Sequence, residues 1–336
     1  MCLASCILYP VSCSAWRRDG HGRAFPLSLG LPGRAAAIVR PRAGARLGAA
    51  HPYEGTTCYG SGTRDGPAAI IEASRQLERY DHELGCEPYA KYGIRTLPPL
   101  SMMRKSPDAM IDAVQAAVAG IMSGSPGPRL LVVLGGEHTI SAGVVRGLAA
   151  TVAANNLVVV QIDAHADLWD EYEGSRYSHA CAARRIVETC PVFQIGIRAI
   201  SQEEDRFRRG RKDLRTVFSE EANAGGAAWL QELAAFVQGK DVYLTMDLDG
   251  LDPSIMPAVG TPEPDGLTWA RALDVVRTVC KHAASVPAFD VVELAPIGGM
   301  RAPDFLAAKL VYKTMSLALL RSEMRVGRAG DGLQSL

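Results

Sequence analysis

The sequence predicts a three-layer α/β/α fold with a mainly parallel central sheet. Three observations point there. Short, continuous apolar runs rich in Val, Ile and Leu recur along the chain, among them "RLLVVLGGEH" at 129–138 and "LVVVQID" at 157–163. Stretches with helical apolar spacing alternate with them, and strands buried on both faces between helices form parallel sheets. Ionisable residues follow directly after several of the runs, and such sheets bind ligands beyond the carboxyl ends of their strands.

In chain order, residues 1–48 come first, rich in Arg, Ala, Gly and Pro without a clear period; they read as a poorly ordered extension. The opening "MCLASCILYPVSCSAWRR" lacks a basic residue ahead of its apolar part, and "LASC" has only two residues before it, so neither a signal peptide nor a lipoprotein box is expected. Helical spacing appears at 66–84 and again at 106–122, the second with Ser106 as N-cap. A helix from about Ser141 follows the strand at 129–138, and strands at 157–162, 192–198, 241–249 and 288–296 follow in turn. Helices near 227–238, 268–284 and 303–321 alternate with these. The main folded domain is therefore expected to span 49–323, with a tail at 324–336.

Composition narrows the function classes. The 336 residues are 48% hydrophobic, with 36 Lys plus Arg against 36 Asp plus Glu, a balance that gives no sign of a nucleic-acid or anionic-membrane partner. No apolar run approaches the roughly 20 residues of a membrane span. The eight cysteines show no CxxC spacing and no disulfide framework, so a reducing compartment, the cytoplasm, is expected.

Chemistry gathers at the strand ends. "GGEH" delivers His138, "DAHAD" delivers Asp163, His165 and Asp167, "DLDGLDP" delivers Asp247 and Asp249, and the last strand delivers Glu293. Asp252 precedes Pro253 and reads as a turn residue. Four carboxylates brought together cannot all stay ionised without cations. Two divalent ions balance them, and an oxygen-dominated donor set with one histidine per ion favours Mn²⁺ over zinc. Each motif alone is weak; an Asp-x-Asp after a strand is more often a turn or a helix cap.

These motifs resemble the three signatures of the ureohydrolases, the arginase and agmatinase family of binuclear manganese enzymes. "HPYEGTTCYGSGTRDGPAAIIEAS", "GIRTLPPL", "DEYEGSRYSHACAARRI", "PAVGTPEPDGLTW" and "VVELAPIGGMRAPDFLAAKLVYK" resemble agmatinase-type members, so the likeness runs from about residue 51 to 322. It implies two Mn²⁺ per subunit bridged by Asp163 and Asp247, with His138 and Asp167 completing one site and His165 and Asp249 the other. It implies that His179, in "YSHAC", transfers a proton near the substrate and that Glu293 holds the guanidinium group. It also implies a homo-oligomer, a trimer or hexamer, acting on a small cationic guanidino substrate. Glu137 stands where many members have Asp, and a supporting role is expected for it.

Agmatine, hydrolysed to putrescine and urea, is the expected substrate. The loop "LWDEYEGSRY" is acidic at Asp170, Glu171 and Glu173 and aromatic at Trp169, Tyr172 and Tyr177, which suits a distal ammonium. Glu263 is agmatinase-like as well. Aminopropylagmatine, a guanidino acid or arginine are the alternatives within the family, and a non-catalytic, metal-stabilised subunit is the alternative outside enzymes. One departure stands out. Family members carry an apolar first strand directly before the "PYEGT" segment, whereas "RPRAGARLGAA" is a poor strand, so either "AAIV" at 36–39 supplies it or the start of the chain is misassigned. On this reading a chain beginning near Pro52 keeps its activity.

Overall fold

A computed structural model describes residues 16–18, 24–26, 45–100, 106–124, 130–152, 156–226 and 228–331, with side chains described between 52 and 320. The expectations for "LASC" and "AAIV" lie outside the described residues. The strands are β1 (Trp16–Arg18), β2 (Ala24–Pro26), β3 (Ala45–His51), β4 (Ile94–Thr96), β5 (Leu131–Gly135), β6 (Leu157–Ile162), β7 (Val192–Ile197), β8 (Leu214–Phe218), β9 (Asp241–Asp247) and β10 (Ser285–Val292). The helices are α1 (Gly66–Ser74), α2 (Pro88–Tyr92), α3 (Pro107–Met122), α4 (Ile140–Ala149), α5 (Ala182–Val187), α6 (Gln202–Arg209), α7 (Ser219–Asn223), α8 (Ala228–Val237), α9 (Trp269–His282) and α10 (Ala302–Asp331).

Eight strands form one sheet in the order β4-β3-β5-β10-β9-β6-β7-β8, and every adjacent pair is parallel. After β6 the chain winds outward through β7 and β8, then returns to fill the gap between β5 and β6 with β9 and β10. The four strands that carry the chemical motifs are thus the four central ones, side by side, with their carboxyl ends along one edge.

Side-chain alternation splits each central strand between two cores. Val132 and Leu134 of β5, with Val158, Val160 and Ile162 of β6, pack with residues of α1, α8, α9 and α10 on one face. Leu131 and Val133, with Leu157 and Val159, pack with α3, α4 and α5 on the other. Each such aliphatic side chain, at most 4% exposed, contributes about 1.5–3 kcal/mol on burial. This is why the strands read as unbroken apolar runs rather than alternating ones.

Several boundaries differ from those the sequence suggests. The helix expected over 66–84 stops at Ser74, whose hydroxyl bonds the Ile71 carbonyl at 2.7 Å and competes with the helical ladder. Beyond it the chain turns at Asp81, which accepts the Glu83 and Leu84 amides and pairs with Lys313. Ser106 is the N-cap residue of α3, but its side chain makes no capping bond to the helix backbone. The last helix continues through the segment read as a tail and reaches Asp331.

The largest correction concerns the first sheet strand. "ARLGAAH" does form a strand, β3, and it begins inside the segment read as an extension. It has little β-propensity of its own. Its neighbours impose the conformation: it pairs with β5 through Arg46, Leu47, Ala50 and His51 and with β4 through Ala45, Arg46 and Leu47. The eight-stranded sheet therefore takes in Ala45–His51, ahead of the boundary read at residue 49.

Candidate metal centre

Each strand end turns its polar residue into the same space. After β5 the backbone passes so close to Tyr53 that a Cβ on Gly136 would sit 1.9 Å from the Tyr53 carbonyl oxygen, so only glycine fits there. This tight passage sets down His138, whose amide donates to the Glu293 carboxylate at 2.6 Å. Asp167 and Glu293 have φ of 52° and 65°, a left-handed conformation that costs a non-glycine residue about 1–3 kcal/mol and persists where the surroundings enforce it.

Two groups result. The His138 Nδ1 atom lies 3.0 Å from Asp163 Oδ2, 3.1 Å from Asp167 Oδ2 and 3.3 Å from Asp247 Oδ2. The His165 Nδ1 atom lies 2.9 Å from Asp249 Oδ2 and 3.8 Å from Asp163 Oδ1. The ligand atoms of His138, Asp163 and Asp247 fall within 4.8 Å of one another, as do those of Asp163, His165 and Asp249, so either group could hold a metal ion. Asp163 belongs to both, one oxygen towards each. Asp247 turns Oδ2 to the first group, while its Oδ1 accepts the Asp249 amide. All six residues read as ligands from the sequence converge here.

The protonation pattern of His138 fits a cation. A hydrogen-bond chain runs from His138 Nε2 to Thr245 Oγ1 (2.9 Å), on to Ser141 Oγ (3.3 Å) and to Asp290 Oδ2 (2.5 Å), which also accepts from Tyr243. Asp290 can only accept, so Ser141 donates to it, Thr245 donates to Ser141, and His138 must donate its Nε2–H to Thr245. Nδ1 is buried and faces three carboxylates. Burial lowers the ring's proton affinity, but Asp163, Asp167 and Asp247 more than offset this and hold its pKa well above the ordinary value, so Nδ1 carries a proton where a cation would take its lone pair instead. A metal ion suits that position, and a hydrogen-bonded partner on the far ring nitrogen, here the Thr245 hydroxyl, is a regular accompaniment of metal-binding histidines.

Charge tells the same story. Burial pushes the Asp163 carboxyl up to about 7, with repulsion from Asp167 and Asp249 adding to it. Burial, then Asp249 and Asp163, hold Asp247 well above its ordinary range. Burial and Glu137 do the same to Glu293. Burial lowers the proton affinity of His165, but the Asp249 carboxylate more than offsets this and lifts its pKa to about 10. The cluster has more negative charge than its protein surroundings neutralise, and divalent cations would supply the difference.

Above the cluster opens a cavity of about 240 Å³ lined by His138, His165, Asp167, Asp247, Asp249 and Glu293 at its base. Its wall carries Cys58, Tyr59, Trp169, Tyr172, His179 and Glu204, and among the described residues no Lys or Arg lines it. Both His179 and Glu293 thus face the same space as the metal-binding residues. The loop expected to meet the far end of the substrate is only partly there. Trp169 and Tyr172 line the cavity, but Asp170, Glu171, Glu173, Tyr177 and Glu263 do not. Asp170 is instead held by Arg185 and Arg176, which keep its carboxyl below the usual range, and Tyr177 lies under the Arg146 guanidinium.

Supporting residues escaped the sequence reading. Gln161 donates to Asp163 at 2.7 Å, and Arg198 donates to the carbonyls of Asp249, Leu251 and Glu263 and so pins the loop that carries Asp249. Gln161 and Thr245 were visible as polar residues inside apolar strands. Arg198 had no such signal, because the carbonyls it binds lie some fifty residues or more away in the chain. Glu137 accepts the amides of Gly55 and Thr56 and so ties the "PYEGT" loop to the centre.

Known proteins resemble this chain over most of its length. The family model described as Arginase family matches residues 48–316. The N(1)-aminopropylagmatine ureohydrolase of Synechocystis sp. is 42% identical over 269 residues, covering 79% of this chain and 86% of that protein. The agmatinase of Pyrococcus horikoshii is 31% identical over 281 residues, covering 80% and 89%. Among solved structures, the agmatine ureohydrolase of Thermoplasma volcanium superimposes with a TM-score of 0.73 at 27% identity, covering 84% of this chain and 92% of that one.

Proposed function

The chain belongs to the arginase family, and we propose that it is a ureohydrolase that cleaves the guanidino C–N bond of a polyamine, releasing urea and an amine. The observation that carries the reading is the pair of His–Asp groups sharing Asp163 at the base of a cavity that holds carboxylates and aromatic rings but, among the described residues, no Lys or Arg. In the proposed centre, His138, Asp163, His165, Asp167, Asp247 and Asp249 would hold two Mn²⁺ ions. Bound there, such ions would lower the pKa of water towards neutrality and polarise the group under attack.

The chain's own residues do the rest. Glu293 spends Oε1 on the His138 amide, which leaves Oε2 to accept a guanidinium N–H and hold the planar group over the centre. His179 faces the same cavity and is placed to take a proton released from the attacking water and pass it to the departing amine. Trp169 and Tyr172, their rings 6.1 Å apart, offer π-faces to a cationic chain. Tyr59, 85% exposed at the rim, extends the aromatic path outward.

That path favours a longer cation with a further ammonium group over the agmatine expected from the sequence. The acidic residues Asp170, Glu171 and Glu173 that pointed to agmatine do not line the cavity, and the relative at 42% identity is named for aminopropylagmatine. We therefore place aminopropylagmatine first and agmatine second. Arginine comes last, because its carboxylate, at the end away from Glu293, would enter a cavity that carries Glu204 and, among the described residues, no Lys or Arg to receive it. Urea release from the manganese-loaded protein tests the order. Aminopropylagmatine should be turned over at least as well as agmatine, and arginine should lie about a hundredfold lower in kcat/KM, about 2.7 kcal/mol. Arginine turned over as well as the two amines would defeat the substrate assignment; no urea from any of them would defeat the reaction.

A further inference from the structure

His179 has two neighbours on its Nδ1 side, Thr56 Oγ1 at 3.1 Å and Ser178 Oγ at 3.3 Å, and one on its Nε2 side, the Cys58 thiol at 3.7 Å. Thr56 is the informative one. Its hydroxyl lies 2.6 Å from Glu137 Oε1, and Glu137 is an acceptor on all sides: it takes the Gly55 and Thr56 amides on Oε2 and the Thr56 and Thr139 hydroxyls on Oε1. The one hydroxyl proton of Thr56 is therefore directed at Glu137, and the Thr56 oxygen can only accept from anything else. It accepts the His179 backbone amide at 3.0 Å. What it meets at His179 Nδ1 must then be a second donor.

We propose that Thr56, held by Glu137, is a positioning residue that fixes His179 as the Nδ1–H tautomer and leaves Nε2 as its proton-accepting nitrogen, beside Cys58 on the cavity wall. The backbone and ring contacts of His179 converge on one oxygen, so Thr56 sets ring orientation and tautomer together. Glu137, next to His138 in sequence, thereby joins the metal-binding turn to the proton-transferring histidine through a single hydroxyl. The functional weight of this arrangement rests on the reading of His179 as the residue that moves a proton.

The test separates the two. In the full chain labelled with ¹⁵N-histidine and loaded with diamagnetic Zn²⁺, the His179 resonances, assigned through His179→Ala, report which nitrogen carries the proton without any turnover. The wild type should show Nδ1 protonated and Nε2 bare. Thr56→Val, similar in size but without the hydroxyl, should lose that preference and Thr56→Ser should restore it, while Ser178→Ala should leave it unchanged. With manganese, Thr56→Val should lower kcat about a hundredfold with KM changed less than about threefold, and Thr56→Ser should recover most of kcat. A wild-type His179 protonated on Nε2 would overturn the proposal whatever the activities, as would a Thr56→Val protein with an unchanged tautomer. Absence of urea from every guanidino substrate, with the tautomer behaving as described, would overturn the functional reading and leave the role of Thr56 standing.

Discussion

Replacing Asp163 by alanine should abolish urea release and strip bound metal together. Asp163 is the residue common to both groups of the centre, with Oδ2 at 3.0 Å from His138 and Oδ1 at 3.8 Å from His165. Its loss also frees Gln161 Nε2 and the His165 amide, both now bonded to it at 2.7 Å. The expected fall in kcat is at least about 10³-fold, about 4 kcal/mol, with metal content below one equivalent. The fold itself should survive, because relief of crowding among Asp163, Asp167 and Asp249 compensates for the lost hydrogen bonds. Metal analysis, circular dichroism and the urea assay on one preparation decide the matter. A variant that retains its metal and wild-type turnover would remove Asp163 from the centre.

The second large effect is on folding. A chain that begins at Pro52 lacks β3, which lies inside the sheet between β4 and β5. Roughly half a dozen ladder hydrogen bonds at about 1 kcal/mol each vanish with it. So does the anchorage of the segment that carries Tyr53, whose carbonyl accepts the Glu137 amide. Against a total stability of roughly 5–15 kcal/mol, this should leave the shortened chain largely unfolded or aggregated. A chain that begins at Pro41 retains β3 and should melt within a few degrees of the full-length protein. Thermal unfolding of the two truncations checks this; a stable, active chain starting at Pro52 would show that the strand is dispensable.

The contrast between β3 and the central strands shows what could be read from sequence. Val132, Val158 and Val291 belong to runs whose composition alone demands burial on two faces, so those strands and their order of appearance were legible. "ARLGAAH" carries no such demand, and only the open ladders of β4 and β5 make it a strand. The metal-binding residues were legible for a related reason. Asp163, Asp247 and His138 follow directly on apolar strands, where an ionisable group is costly unless something meets it. The far end of the cavity was not legible. Asp170, Glu171 and Glu173 sit within a few residues of Trp169, yet loop geometry sends Asp170 to Arg185 and Trp169 into the cavity. Spacing along a loop, unlike spacing along a strand, does not fix direction.

The central claim is that this cluster of two histidines and four aspartates is a binuclear centre for guanidine hydrolysis. Its most direct test is a metal titration. The full-length protein is stripped with a chelator, then Mn²⁺ is added in steps while bound metal and urea release from aminopropylagmatine are followed together. Activity should be absent from the stripped protein and should rise to a plateau at two ions per chain. Full activity in the stripped protein, or a protein that binds two ions and releases no urea from any guanidino amine, would contradict it.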